Sequence, residues 1–333
     1  MKNILVTGGA GYVGSGLLRD LLSKGYSVTC LDNLTFGGES LLSILYNKNF
    51  TFYNCDINDR GKLDRIFLEN KFDAVIHLAA IVGDPACKLY PDLANKTNWI
   101  SSKWLLEKSR NSGVSKFIFA STCSNYGKTD DSEAYLDENS KLAPVSLYAE
   151  LKVKFEKYML NEMNKVDGFS VTSLRFSTVY GLSPRMRFDL TVNEFTKDLA
   201  LGKELIVFGE QFWRPYCHVK DFSNAFIAIL DAPKNKVSNQ VFNVGDTNEN
   251  YTKKMLINEI QKVLPDSKIK YVKKNEDPRD YRVNCDKIKK ELGFEISMTV
   301  PDGIMEIKRA IQESLIKDPE EQRYYNTPHA KKK

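Results

Sequence analysis

The stretch TGGAGYVGS, Thr7–Ser15, decides the fold. It follows the apolar, strand-like run ILVTG and opens a run with helical spacing over 14–24. In that context Gly8, Gly9, Gly11 and Gly14 let the backbone turn tightly and approach a pyrophosphate at the positive end of a helix. They also let helix and strand pack closely. The next strand-like run, YSVTCLD, ends in Asp32, about 20 residues past the turn, where a carboxylate accepts hydrogen bonds from an adenosine ribose. A negative charge there repels a 2′-phosphate, which points to NAD over NADP. The competing reading is an ordinary turn followed by a chance acidic residue. A third run, FTFYNCDI, carries Asp56 and Ile57 at its end, facing either an adenine edge or solvent.

Outward from this unit, DAVIHLAA, KFIFAST and FSVTSLRF read as further strands, making six with ILVTG, YSVTCLD and FTFYNCD. Helical patterns at 14–24, 60–70, 95–112 and 148–164 are long enough to be crossovers. The fold class is therefore α/β, a Rossmann-type doubly wound parallel sheet. After Arg175 the pattern loosens into Pro184, an amphipathic run near 190–201, the strand-like ELIVFG and PYCHVKDFSNAFIAILDAP. A smaller α/β substrate-binding domain is expected from 177–218 and 246–333. Residues 1–176 form the dinucleotide domain, with 219–245 returning to it. The cleft between the two is the default ligand site.

The 333 residues carry a net charge of +5 without a basic stripe, so no nucleic-acid partner is expected. The Lys331–Lys333 tail reads as solvated. No signal peptide and no apolar run of about 20 residues is apparent, which argues against membrane insertion. Six scattered cysteines, Cys30, Cys55, Cys87, Cys123, Cys217 and Cys285, lack zinc or disulfide spacing and suit a reducing cytoplasm. His77, His218 and His329 lie far apart in sequence, so no metal site is expected.

In SLYAELKVKFEKYML, Tyr148 and Lys152 stand four residues apart on one helix face. A neighbouring ammonium and a positive nicotinamide favour the phenolate, making the tyrosine a usable general base. Such spacing is also common on surface helices. The strand KFIFAST adds Thr122 at its carboxyl end, where parallel sheets present ligand contacts.

Together these elements resemble the extended branch of the short-chain dehydrogenase/reductase superfamily, the NAD-dependent nucleotide-sugar epimerases, dehydratases and reductases. TGGAGYVGS, LDNL, CDI, HLAA, ASTCSNYG, YAELK, LRFSTVYG, HVKD and FNVGD occur in that family's order and span essentially the whole chain. The resemblance implies Thr122, Tyr148 and Lys152 as the catalytic triad. It implies Gly8, Gly11, Tyr12, Val13 and Gly14 at the pyrophosphate, and Asp32, Asn33, Asp56 and Ile57 at the adenosine. Leu78, Ala79 and Ala80 would line the cofactor, with Asn98 on the helix behind and Tyr148 and Lys152 at its nicotinamide end. Dehydratases of the family place Asp and Glu directly after the Thr. Cys123 and Ser124 stand there instead, which disfavours 4,6-dehydration. Cys87 and Cys123 read as packing residues in preference to acid/base groups, because no partner base is identifiable. His218 reads as structural, and Phe212, Trp213 and Tyr216 are equally read as loop packing.

A nucleotide-diphosphate sugar requires arginines in the second domain. GEQFWRPYCHVKD points to Arg214, and DPRDYRVNCDKI to Arg279, with Arg282 less secure. LSPRMRFDLTVNEF offers Arg185, Arg187 and Asn193, although a cationic surface loop also explains Arg187. Thr178 stands where the family often has a substrate-contacting Asn. The SPRMRFDLTVNEF and DPRDY stretches resemble a sub-branch that includes GDP-heptose 4-dehydrogenases of bacterial polysaccharide synthesis.

The implied activity is oxidoreduction at C4 through a 4-keto sugar. Epimerase is the first reading, since the triad without further acid/base groups suffices. Net 4-dehydrogenation or 4-keto reduction uses the same site. A non-catalytic NAD-binding regulator is the remote alternative, against which Tyr148 and Lys152 are both retained. A cytoplasmic homodimer is expected.

Overall fold

The computed structural model describes residues 2–129, 134–163, 167–272 and 279–327. His329 and the Lys331–Lys333 tail lie outside the described residues.

The large sheet contains β1 (Asn3–Thr7), β2 (Ser27–Asp32), β3 (Phe50–Asn54), β4 (Ala74–His77), β5 (Lys116–Thr122), β7 (Ser170–Phe176) and β11 (Gln240–Val244). The short β6 (Tyr135–Leu136) lies outside it and pairs with β14 (Arg282–Val283). The seven strands run in the order β11-β7-β5-β4-β1-β2-β3, all parallel. The order reverses between β1 and β4, so a crevice opens at their carboxyl ends.

β1 explains why the sheet must be covered on both faces. Ile4, Leu5 and Val6 are all fully buried. Ile4 and Val6 join a core built with Leu17 and Leu21 of α1 (Tyr12–Ser23) and Phe222 and Phe226 of α8 (Val219–Asp231). Leu5 points the other way. It packs with Leu63 of α2 (Arg60–Glu69), Leu105 of α5 (Ser102–Asn111) and Phe155 of α6 (Leu147–Met163). Two short helices, α3 (Asp84–Leu89) and α4 (Pro91–Asn95), precede α5, and a π-helical segment, Lys96–Ser101, interrupts the continuous helix predicted over 95–112.

A third core belongs to the smaller lobe. It joins Tyr180 of β8 (Thr178–Tyr180), Phe195 of α7 (Thr191–Ala200), Val207 of β9 (Leu205–Phe208) and Tyr216 of β10 (Trp213–His218). Beyond the turn of helix α9 (Lys234–Val237), β12 (Asn250–Thr252) pairs antiparallel with β10. Leu256 and Ile260 of α10 (Lys253–Val263) and Ile304 and Ile307 of α12 (Val300–Gln312) close that core, and β13 (Ile269–Val272) extends β9. Tyr12 of α1 is part of the same cluster, so the smaller lobe packs directly on the glycine-turn helix.

The chain path also differs from the sequence reading near its carboxyl end. Ile288 of α11 (Asp286–Leu292), together with Phe294, packs into the α1/α8 core of the large sheet, although 246–333 is read as wholly part of the second lobe. An amphipathic segment as short as α11 carries no mark of which core it will join. Among the described residues, no helix is long and apolar enough to cross a membrane.

Candidate active site

The crevice between β1 and β4 is shaped first by two glycines. Gly8 has φ +76°, and a Cβ there would stand 2.7 Å from the Ala79 nitrogen at the end of β4. A Cβ on Gly14 would stand 2.4 Å from the Gly8 carbonyl oxygen and 2.6 Å from Gly9 Cα. Both contacts are with backbone and cannot be relieved by a rotamer change. Gly11 begins α1 with no side-chain cap and no acidic residue in the first turn, so the amide groups of Tyr12 and Val13 remain oriented for an anion. Gly14→Ala is expected to force the turn and helix apart, at a stability cost of about 1–3 kcal/mol. Bound NAD per chain after purification, read beside the thermal unfolding midpoint, should both fall.

The carboxylate of Asp32 is fixed by the Ala10 amide at 3.0 Å and the Leu34 amide at 2.8 Å. Burial nevertheless raises its pKa above the ordinary value. Asn33 donates its amide to Asp56 at 2.8 Å, bringing the ends of β2 and β3 together, and Ile57 is buried beneath them. Leu78, Ala79 and Ala80 follow β4 and are half-buried along the opposite wall. Every feature an ADP-ribose needs is thus present: a turn admitting close backbone approach, an uncapped helix start and a placed carboxylate. NAD fits these residues.

Asn98 differs from its expected contact with the cofactor. It is buried in the π-helical segment, and its amide closes on one peptide, with Oδ1 accepting from Ile81 N at 2.8 Å and Nδ2 donating to Ile81 O at 2.9 Å. It braces the loop after Ala79 and Ala80, and acts on that wall through Ile81.

Ser146 starts α6, its hydroxyl accepting from the Ala149 amide at 3.3 Å, which sets Tyr148 and Lys152 on successive turns. Lys152 is buried, and its Nζ donates to the Ala120 carbonyl of β5 at 2.6 Å. It lies 4.6 Å from the Phe119 ring centroid and 5.8 Å from that of Tyr148. Burial lowers its ammonium to about 8. Burial also holds the Tyr148 phenol above its ordinary pKa, aided by Cys87 and Asp84 and opposed by Arg187. Thr122 ends β5, and its oxygen accepts from the Ser124 amide at 3.1 Å, leaving the hydroxyl proton to donate elsewhere.

Cys87 and Cys123 are buried thiols, donating to the carbonyls of Ile81 and Arg175. Burial pushes Cys87 up to about 11 and Cys123 higher still, so neither is poised to ionise. His218 accepts from the Lys220 amide and pairs with Glu306 at 2.8 Å, a satisfied structural ring. Among the described residues, no group of three or more His, Cys, Asp or Glu is arranged to hold a metal.

On the smaller lobe, Thr178 is half-buried beside Tyr216 in the β8–β10 pair. Arg214 lies over the Tyr281 ring at 5.5 Å. Arg214 and Arg279 both act electrostatically on the Tyr216 and Tyr281 phenols. Arg279 also pairs with Asp84 at 3.0 Å, and Asp84 accepts from Ser146 at 2.6 Å. This chain from the smaller lobe to the start of α6 was missed in the sequence, where its members stand 62 and 195 positions apart. Only the capping role of Ser146 had a local signal. Arg282 is sandwiched between Tyr135 and Trp213, with ring distances of 4.7 and 4.9 Å.

Three residues of the SPRMRFDLTVNEF stretch separate. Asn193 is fully buried, accepting from Gly181 N at 2.9 Å and donating to the Arg187 carbonyl at 2.8 Å and the Tyr12 hydroxyl at 3.2 Å. Its amide is used within the protein, which corrects the expectation of a substrate contact. Arg187 is drawn inward by a two-point pair with Asp189, at 2.8 and 3.0 Å, and is not part of a surface loop. Arg185 lies against Phe36 and acts electrostatically on Asp32.

A Rossmann crevice with a tyrosine and a lysine one turn apart beside its sheet defines a dinucleotide-dependent oxidoreduction site. The chain belongs to the NAD dependent epimerase/dehydratase family, whose sequence profile matches residues 4–245, and it is an NAD-dependent enzyme. It is 30% identical over 315 residues to the UDP-glucose 4-epimerase of Bacillus subtilis, covering 88% of this chain and 91% of that one. The crystal structure of UDP-glucose 4-epimerase with UDP-glucose from Thermotoga maritima superposes with a TM-score of 0.83 at 31% identity, covering 94% of this chain and 99% of that one. A dTDP-glucose 4,6-dehydratase from Bacillus anthracis in complex with NAD has a TM-score of 0.82 at 26% identity, covering 94% of this chain and 97% of that one.

Proposed function

We propose that the enzyme inverts the C4 hydroxyl of a nucleotide-diphosphate sugar through a 4-keto intermediate. The observation that carries this reading is the pairing of Tyr148 and Lys152 on α6 beside a strand end where Thr122 is followed by Cys123 and Ser124. Carboxylates at those two places would support elimination of water; a thiol held protonated and a hydroxyl do not. The 4-epimerase relatives support the same choice and make a UDP-hexose the first candidate substrate.

NAD, when bound, supplies the acceptor and donor of the C4 hydride. Tyr148 takes the C4 hydroxyl proton and returns it after the sugar has turned its other face. Lys152, fixed at Ala120, contributes the positive charge that favours the phenolate. Thr122 donates its free hydroxyl proton to the sugar oxygen and keeps it near Tyr148. Arg214 and Arg279 hold the diphosphate while the sugar rotates, and Thr178 offers a hydroxyl at the sugar end. Gly8, Gly11, Tyr12, Val13 and Gly14 hold the cofactor's pyrophosphate, Asp32, Asn33, Asp56 and Ile57 its adenosine, and Leu78, Ala79 and Ala80 the opposite wall. In this reading the enzyme works as a cytoplasmic homodimer in the synthesis of polysaccharide sugars.

The test incubates the purified enzyme with UDP-, GDP-, dTDP- and CDP-hexoses, following the sugar by NMR and the NADH absorbance together. The expected result is inversion at C4 of one of them with no accumulation of NADH. Stoichiometric NADH or a released ketone would replace the epimerase with a dehydrogenase. Bound NAD with no product from any sugar would point to a regulatory protein.

A further inference from the structure

Arg185 is a buried cation with three of its five N–H donors unanswered. It is 7% exposed, and neither Nε nor Nη2 has a hydrogen-bond partner. Burying a guanidinium in that condition is costly. Folded proteins tolerate such a cost where a ligand supplies the missing acceptors.

Its position says which ligand. The Arg185 amide donates to Ser15 Oγ of α1 at 3.3 Å, and the neighbouring Ser183 hydroxyl donates to the Tyr12 carbonyl at 2.5 Å. The segment carrying Arg185 is therefore stitched to the first turn of α1, the turn with uncapped amides. The guanidinium carbon lies 4.3 Å from the Phe36 ring centroid, in the loop after β2, and it acts electrostatically on Asp32. It flanks a cavity of about 650 Å³ bordered by Thr35, Phe36 and Ser40. Arg185 thus stands between the helix start that receives phosphate and the carboxylate that receives ribose. Burial lowers its pKa to about 10, which leaves it charged at neutral pH.

We propose that Arg185 grips the diphosphate of the NAD adenosine half, a cofactor-binding residue contributed by the smaller lobe. Its planar fork suits phosphate oxygens. It lets a loop of the substrate lobe sense whether the dinucleotide is in place. The proposal rests on NAD use and stands whichever sugar the enzyme turns over.

The test prepares cofactor-free Arg185→Met and Arg185→Lys enzymes and titrates each by calorimetry with NAD, ADP, adenosine and UDP. In Arg185→Met, affinity for NAD and ADP is expected to fall about ten- to a hundred-fold, the loss of charge-assisted hydrogen bonds. Adenosine and UDP should bind as they do to the original enzyme, and Arg185→Lys should recover part of the loss. Cofactor-free Arg185→Met should also unfold at the same temperature as the parent or higher, because an unanswered buried charge has been removed. Unchanged NAD and ADP affinity with weakened UDP binding would overturn the proposal by returning Arg185 to the substrate. A lower unfolding temperature with equal losses for adenosine and ADP would overturn it as well, marking a purely structural role.

Discussion

Tyr148→Phe is expected to lose turnover by about a thousand-fold, within the range general acid–base catalysis contributes, while keeping NAD. The substitution removes one oxygen. The ring itself packs beside Cys87, Ala94 and Leu151, and those contacts are unchanged in phenylalanine. Lys152 keeps its bond to the Ala120 carbonyl, so the neighbouring charge does not move. What disappears is the hydroxyl that, in the proposed mechanism, takes the C4 proton. In the cofactor-free protein burial opposes ionisation of the phenol, so the positive charges of Lys152 and the bound cofactor must supply what burial removes. Rapid-mixing turnover with the best sugar, read beside NAD content and the unfolding midpoint, checks the expectation. Activity within about ten-fold of the original, well short of a general base's contribution, would take Tyr148 out of the mechanism.

The parts of this site legible in the sequence share a physical property: short-range constraint. Gly8, Gly14 and Asp32 follow from one strand, one turn and one helix, where few backbone paths exist. Tyr148 and Lys152 follow from helical periodicity alone. The roles of Asn98 and Asn193 were not legible, because a buried amide can face a ligand or a peptide equally well. Ile81 and Gly181, the groups that claim them, are brought near by the fold. Arg185 and Arg187 show the same limit. They stand two residues apart, yet one pairs with Asp189 and the other, on a loop bonded to Tyr12 and Ser15 of α1, lies against Phe36. The π-helical segment at Lys96–Ser101 has no composition signal either, and it carries the Asn98 that bonds Ile81.

The periodicity that presents Tyr148 and Lys152 continues one turn further to Glu156, and this residue anchors the helix that carries them. Glu156 is almost fully buried. It accepts from Arg175 Nη2 at 2.7 Å and Nε at 3.1 Å, and its other oxygen accepts from Ser173 at 2.7 Å. Arg175 goes on to donate to the Tyr126 hydroxyl at 3.0 Å, and Tyr126 donates to Asn243 of β11 at 2.7 Å. One network therefore joins α6 to β7, β11 and the turn after Thr122. Glu156→Ala leaves the Arg175 charge buried without its counter-ion and is expected to cost about 3–5 kcal/mol, a large share of a domain's stability. Glu156→Gln should cost less, since the amide keeps the shape and one acceptor. The double variant Glu156→Leu with Arg175→Met should recover much of the loss, because neither charge then needs its partner. Urea unfolding of the four proteins measures these differences. A loss below about 1 kcal/mol in Glu156→Ala, no more than an exposed pair contributes, would show that α6 is held by its apolar face alone. In the expected case the same variants should lose NAD and turnover in the order of their instability. The proposed catalytic pair thus depends on α6 being pinned one turn beyond Lys152, at a carboxylate that is buried and paired within the protein.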